Sequence, residues 1–379
     1  MSEQVKNSID LLINNIKSLI SVDTKKLEYI IAAQIAGGHV ILADSHGVGK
    51  TSLARALAQS IHWHPEDMAA AKESAAKGKD EAVMEGFSRI QCTVDLLPQD
   101  ILGYNRFLGH SGELIFNKGP IFAHFVLCDE INLLTPKTQG SFFQVMEEQS
   151  VTIEGKSYRL QDPFFIIATM NLKGVHLFPL PVPQLDRFMI RLSLGYPSEE
   201  DETQIINRHG KIDAWDSFKS VIDSRDLILW RKMVDEVHMH PEVTAYLVNC
   251  VRRTRSHPDI ETPASPRAGV RISRLARSLA LCRGMDFVSV DIIKEIFIHA
   301  MAHRIITRDP SIPPEAPLQN ILNSVPVEPQ PSLTTGKWLG VEPEVRGSPL
   351  EPQPSLKGVE PSYQRYAVRG SPLEPKREQ

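Results

Sequence analysis

The 379-residue chain predicts an α/β fold: a parallel sheet flanked by helices around a phosphate-binding loop, then an all-helical domain and a Pro-rich tail. Three observations carry that prediction. A strand, Val40 to Ala43, runs through a Gly-containing loop into a helix-forming run, Ser52 to Ala58. Two more apolar strands, 125–130 and 164–171, end in polar side chains and are separated by an amphipathic helix, as a parallel sheet requires. From about residue 198 onward strand signals are sparse and helical periodicities follow one another.

Taken in order, Ile9, Leu12, Ile13, Ile16, Leu19 and Ile20 fall at helical spacing and predict a first helix over 5–20. A second, about 25–36, stops at Gly37-Gly38. After the strand and helix of the phosphate loop comes a run rich in Ala, Lys and Glu, 66–85, read as a solvated helical insert. A strand at 88–93 leads to Leu97-Pro98 and a polar hairpin-like segment ending near Pro120, with Gly109, Gly112 and Gly119 as turn signals. Strand 125–130, helix 136–148, a hairpin over 151–160 and strand 164–171 follow. A short helical segment, 182–186, and a strand, 188–194, close the first domain, assigned to 1–198. Helices predicted over 227–237, 241–255, 265–283 and 290–307 make the second, 199–309. In the remainder, 310–379, Glu328 to Leu333 recurs at Glu351 to Leu356, and Val345 to Pro352 recurs at Val368 to Pro375. Repeats so rich in Pro and poor in apolar residues predict a disordered tail.

The stretch Asp44, Ser45, His46, Gly47, Val48, Gly49, Lys50, Thr51, Ser52 is the candidate phosphate-binding loop. Glycines at 47 and 49 let the backbone approach a phosphate, and the N-terminus of the following helix favours an anion. Lys50 would reach the β- and γ-phosphates of ATP, and the Thr51 hydroxyl would ligate Mg²⁺ together with Asp129. The usual pattern begins with glycine where this chain has Asp44. Two placements of its carboxylate are open: facing solvent, which is preferred, or facing the triphosphate and weakening binding. Glu130 follows Asp129 at a strand end, where it would polarise the attacking water, and Asn171 ends the next strand, where its amide would orient that water.

Bulk properties narrow the class. The formal net charge is −4, which argues against a nucleic-acid-coating surface. The four cysteines, Cys92, Cys128, Cys250 and Cys282, are far apart and read as buried thiols. The polar N-terminus carries no evident signal peptide, and the most apolar stretch, 29–43, is interrupted by Gln34, Gly37, Gly38 and His39. A cytoplasmic protein without a membrane span is expected.

The ordered set Arg89-Ile90-Gln91, Asp95-Leu96-Leu97-Pro98, Gly119-Pro120-Ile121-Phe122-Ala123, Asp129-Glu130-Ile131-Asn132, Pro136-Lys137-Thr138-Gln139, Met146-Glu147-Glu148, Gln184-Leu185-Asp186-Arg187-Phe188 and Ala264-Ser265-Pro266-Arg267-Ala268 resembles the MoxR group of AAA+ ATPases, over about residues 5–308. The resemblance implies a chaperone-like ATPase, working as a homo-oligomeric ring, a hexamer, on a protein partner, often one with a von Willebrand factor A domain. It implies that Arg187 acts as a finger on the neighbouring subunit's nucleotide and that Arg267 is a second sensor reaching the nucleotide from the helical lid. It also matches 103–120 to an inserted segment common in the wider group. Asp44, the long 66–85 insert and the repetitive tail depart from the pattern. Two other functions stay open at this stage: a nucleotide-gated scaffold with weak or no hydrolysis because of Asp44, and a DNA motor or chelatase subunit.

Overall fold

The computed structural model describes residues 2–44, 47–63, 84–108, 113–171, 178–208 and 213–327. Two amphipathic helices come first, α1 (Ser2–Leu19) and α2 (Thr24–Ile35). The first buries Val5, Ile9, Leu12, Ile13 and Ile16, which is the predicted stripe. The Asp23 side chain caps the second by accepting from the Lys26 N–H. Then follow β1 (Val40–Ala43), α3 (Lys50–Gln59), the short β2 (Ile61–His62) and β3 (Glu85–Gln91). Next are α4 (Pro98–Leu102) and a hairpin of β4 (Gly103–Leu108) and β5 (Glu113–Lys118), in the predicted place.

β6 (Ala123–Asp129), α5 (Pro136–Glu148), the hairpin β7 (Ser150–Ile153) and β8 (Lys156–Arg159), and β9 (Phe165–Met170) continue the chain. The first body of elements closes with α6 (Val182–Leu185) and β10 (Ile190–Leu192).

Five strands form one sheet in the order β10-β1-β9-β6-β3, every neighbouring pair parallel. β1 and β6 are buried along their whole length, as is β9 up to Thr169, which is why they read as unbroken apolar runs. Because the strands are parallel, their C-terminal ends meet on one edge. Ala43 is in register with Met170, and Cys128 with Ala168. Residues 44, 130 and 171 therefore gather at the edge where open α/β sheets bind ligands.

The chain then becomes helical: α7 (Glu199–Arg208), α8 (Asp213–Asp216), α9 (Ser224–Val234), α10 (Pro241–Arg253), α11 (Pro266–Cys282) and α12 (Val290–Met301). Three short strands interrupt it. β11 (Ile222–Asp223) pairs with β2, and β12 (Ile260–Thr262) pairs with β13 (Ile306–Thr307), so the last predicted helix ends at Met301 rather than 307.

The lid helices share one apolar core with α1, α2 and a face of the sheet. Polar ties reinforce that seam. The Ser278 hydroxyl donates to the Ala32 carbonyl at 2.7 Å. Arg283 on the lid meets Glu28 at 2.7 Å and Glu295 at 2.8 Å, and its hydrogen bonds help draw Glu295 down to about 2. All four cysteines are buried and free. His39 is buried as well: its Nδ1 accepts from the Ile166 N–H at 3.1 Å, and burial lowers its pKa to about 3.

The tail boundary needs correction. Residues 315–324 form a helix, α13 (Glu315–Ser324), whose Leu318, Ile321 and Leu322 are buried in the shared core, with Val325 just beyond. Prolines at 310, 313, 314 and 317 hid it in the composition. Pro314 precedes the helix and Pro317 lies in its first turn, where backbone N–H groups have no intrahelical partner. Arg191 on β10 pairs with Glu315 at 2.6 Å. The rest of the expected tail, 328–379, and most of the expected helical insert, 64–83, lie outside the described residues. Glu85, placed in that insert, instead opens β3.

Candidate active site

Between β1 and α3, Gly47 and Gly49 take positive φ of 81° and 83°. A Cβ at either would touch nothing within 4 Å, so the backbone conformation, not space, calls for glycine. Gly49 ends the loop as the N-cap of α3 and offers no side chain to its first N–H groups. Those groups point to an anion site. Ser45 and His46 lie outside the described residues; Val48 is half-buried and Ser52 lines the pocket that follows.

That pocket has a volume of about 340 Å³ and lies at the sheet edge. Gly47, Gly49, Lys50 and Thr51 line one side; Asp129, Glu130 and Asn171 line the other. Lys50 is 9% exposed, and its ammonium donates to the Asp44 carbonyl at 3.0 Å and to Asn171 Oδ1 at 3.4 Å. Burial pulls the Lys50 pKa down, while Asp44, Asp129 and Glu130 pull it up. The Asn171 amide donates to Glu130 Oε1 at 2.7 Å, so Asn171 spans the cation and the acid. Glu130 sits in the left-handed region, φ 59°, and its N–H donates to the Thr169 hydroxyl at 2.9 Å. This turn swings its side chain out of the strand direction and into the pocket.

Thr51 Oγ donates to Asp129 Oδ2 at 3.2 Å, which brings the two predicted metal ligands together. A hydroxyl and a carboxylate are hard oxygen donors suited to Mg²⁺, which takes few protein ligands and completes its shell with water and phosphate oxygens. No three His, Cys, Asp or Glu side chains cluster as a metal cage among the described residues.

Asp44 corrects the sequence reading. Its carboxylate neither faces solvent nor lines the pocket; the residue is 6% exposed. It accepts from the Ser193 hydroxyl at 2.5 Å, the Leu194 N–H at 2.6 Å and the Gly195 N–H at 3.3 Å. The acid therefore ties the start of the loop to the chain leaving β10. Only its carbonyl reaches the site, through Lys50.

Neither Arg187 nor Arg267 lines the pocket of its own chain. Both meet Glu147 near the end of α5: Arg187 at 2.9 Å and Arg267, from the first turn of α11, at 3.0 Å. Asp186 is already engaged, by buried Arg304 at 2.7 Å and the Ser265 hydroxyl at 3.1 Å. The Glu147 pairs are partly exposed, so breaking either costs little, about 0–1 kcal/mol.

Three pocket residues escaped assignment from sequence: Arg89, Gln91 and Thr169. Arg89 reaches Asp129 at 2.7 Å, and Thr169 donates to Asp129 Oδ1 at 3.2 Å. The alternation around buried Ile90 was the available signal, since it sets Arg89 and Gln91 on one face of β3.

Comparison with known proteins agrees with this layout. The family model described as "ATPase family associated with various cellular activities (AAA)" matches residues 65–190, and an AAA lid domain model matches 252–324. The chain is 36% identical over 307 residues to YeaC of Bacillus subtilis, an uncharacterised protein, covering 80% of this chain and 89% of that one. It is 30% identical over 329 residues to the chaperone MoxR1 of Mycobacterium tuberculosis, covering 84% and 81%. A crystal structure from Cytophaga hutchinsonii, described as a candidate ATPase, superposes with a TM-score of 0.74 at 26% identity, over 86% of this chain and 96% of that one.

Proposed function

Because the chain belongs to the MoxR group of AAA+ ATPases, we propose that it hydrolyses ATP to remodel or activate partner proteins. The observation that carries this reading is the gathering of Lys50, Thr51, Asp129, Glu130 and Asn171 in one pocket beside the N-terminus of α3. Lys50 and the loop N–H groups hold the phosphates. Glu130 takes the proton of the attacking water, and Asn171, already bonded to Glu130, orients that water. Mg²⁺, held through Thr51 and Asp129, would neutralise charge on the phosphates. Arg187, which does not line the pocket of its own chain, serves the nucleotide of an adjacent subunit in a ring, taken as a hexamer, and Arg267 is a second sensor reaching the nucleotide from the helical lid.

The scaffold alternative drew on an acid near the phosphates, and the Asp44 carboxylate is turned toward residues 193–195 instead. A chaperone among the relatives favours a protein partner over a nucleic acid; that this partner carries a von Willebrand factor A domain is part of the proposal. No helix among the described residues is long and apolar enough to cross a membrane; a cytoplasmic location is part of the proposal. The test is steady-state ATP hydrolysis beside nucleotide titration. Glu130→Gln should bind ATP as the parent does and hydrolyse it ~10²–10⁴-fold more slowly. Parental turnover in Glu130→Gln would remove Glu130 from the reaction.

A further inference from the structure

One oxygen of the carboxylate assigned to the metal, Asp129 Oδ2, is fully engaged in this structure. Asp129 Oδ2 accepts from Arg89 Nε at 2.8 Å, from a terminal nitrogen of Arg89 at 2.7 Å and from the Thr51 hydroxyl at 3.2 Å. Oδ1 accepts from the Thr169 hydroxyl at 3.2 Å. An ionised carboxylate has about two lone-pair sites on each oxygen, so three donors saturate Oδ2, while Oδ1 carries one. Two of the donors on Oδ2 come from one guanidinium, which also offsets the charge.

The two partners differ in how they are held. Asp129 is buried at the end of a central strand, and its geometry is set by the sheet. Arg89 projects from the edge strand β3, its side chain 50% exposed, with a terminal nitrogen on Gln91 at 2.9 Å. The carboxylate is fixed by the sheet, whereas the cation is half exposed at the sheet edge. Both line the same pocket as Lys50 and Thr51. A purely structural ion pair would have no reason to occupy the oxygen that also bonds the metal-binding threonine.

We propose that Arg89 is a built-in counter-ion for Asp129, holding the carboxylate while no metal is bound and releasing it when a magnesium–nucleotide complex enters. The inference rests on the reading of the pocket as a Mg²⁺–nucleotide site. Arg89 and the metal then compete for one carboxylate. The guanidinium keeps an uncompensated negative charge from facing incoming phosphates, and its release limits the affinity that Mg²⁺ adds.

The experiment measures the affinity of the full chain for the fluorescent probe N-methylanthraniloyl-ADP, in excess EDTA and in excess Mg²⁺. In Arg89→Gln, bare Asp129 should repel metal-free nucleotide, and the metal should bind without a competitor. The ratio of the affinity with Mg²⁺ to that with EDTA should rise by about tenfold or more, the order expected for one unit charge beside a partly shielded ion. Arg89→Lys retains the charge and should stay near the parental ratio; it serves also if Arg89→Gln fails to fold, since neutral Arg89→Met can then be compared with it. In an Asp129→Asn background, Arg89→Gln should leave the ratio unchanged. An unchanged ratio in Arg89→Gln, or an equal rise in the Asp129→Asn background, overturns the proposal while the pocket reading stands. A parent that binds no nucleotide in either condition overturns the pocket reading and the proposal with it.

Discussion

Replacing Asp44 by glycine restores the usual phosphate-loop pattern and should nevertheless damage the protein. The carboxylate accepts three hydrogen bonds from residues 193–195, two of them at 2.5 and 2.6 Å. Hydrogen bonds to a charged group contribute roughly 1.5–3 kcal/mol each. Ser193 is exposed and can turn to water, so its bond is largely recovered. The Leu194 and Gly195 N–H groups are half-buried and lose a fixed acceptor. Two such bonds come to roughly 3–6 kcal/mol; both N–H groups are only half-buried and water recovers part of this, which leaves a net loss of about 2–4 kcal/mol with the added glycine entropy inside that range. Asp44→Asn, which keeps one acceptor oxygen, should lose about half as much.

Urea denaturation of the three proteins reads this directly, through the midpoint at constant slope. Calorimetric titration with ATP adds a second, independent reading. A carboxylate facing phosphate predicts tighter binding in Asp44→Gly, and one facing solvent predicts no change. Anchored to 193–195, its loss loosens the loop and should weaken binding. Parental stability in Asp44→Gly, or tightened binding, would refute the anchoring role.

Three further outcomes follow from particular residues. His39 is neutral in the folded protein down to about pH 3, whereas in the unfolded chain it takes a proton below its ordinary value of 6.5. Its stabilisation is complete above 6.5 and falls with pH between 6.5 and 3, by roughly 1.4 kcal/mol per unit; urea midpoints at pH 7 and 5 should show a shallower fall in His39→Gln, and an equal fall would exclude His39. A chain ending at residue 310 should melt well below the parent, because α13 takes four buried apolar side chains with it, Leu318, Ile321, Leu322 and Val325, each worth about 1.5–3 kcal/mol as an upper bound; a chain ending at Val327 should melt within a degree or two of the parent, and equal melting of both would contradict the packing of α13. Lys50→Ala should lose tight ATP binding, since the sequence of the loop, 44–52, holds no other Lys or Arg to replace the buried ammonium; calorimetry showing parental affinity would contradict its phosphate role.

Local patterns were readable where the physics was local. Unbroken apolar runs at 125–128 and 165–168 required strands buried on both faces, and parallel pairing carried Asp129, Glu130 and Asn171 to one edge. The stripe of α1 and the glycines of the phosphate loop were legible for the same reason. Contacts between distant segments were not. Nothing near Asp44 in the chain announces that its acceptor role is spent on Ser193 and Leu194. Glu147 could not be seen to collect Arg187 and Arg267 from two other elements. Helix α13 was masked because its prolines fall where a helix tolerates them, and composition weighs a proline without regard to its position.

The central claim is an ATPase whose site is completed by the next subunit. Arg187 does not line its own pocket, and the Glu147 pair that holds it is partly exposed and costs little to exchange. Arg187→Ala should bind ATP and hydrolyse it ~10³-fold more slowly or worse, as for a lost arginine finger. Lys50→Ala should be inactive for a different reason. Mixed in equal amounts and allowed to assemble, the two should recover about a quarter of the parental rate, because in a head-to-tail ring roughly one junction in four pairs an intact Lys50 with an intact Arg187. Parental turnover in Arg187→Ala alone, or no recovery in rings shown by mass to contain both chains, would contradict the claim.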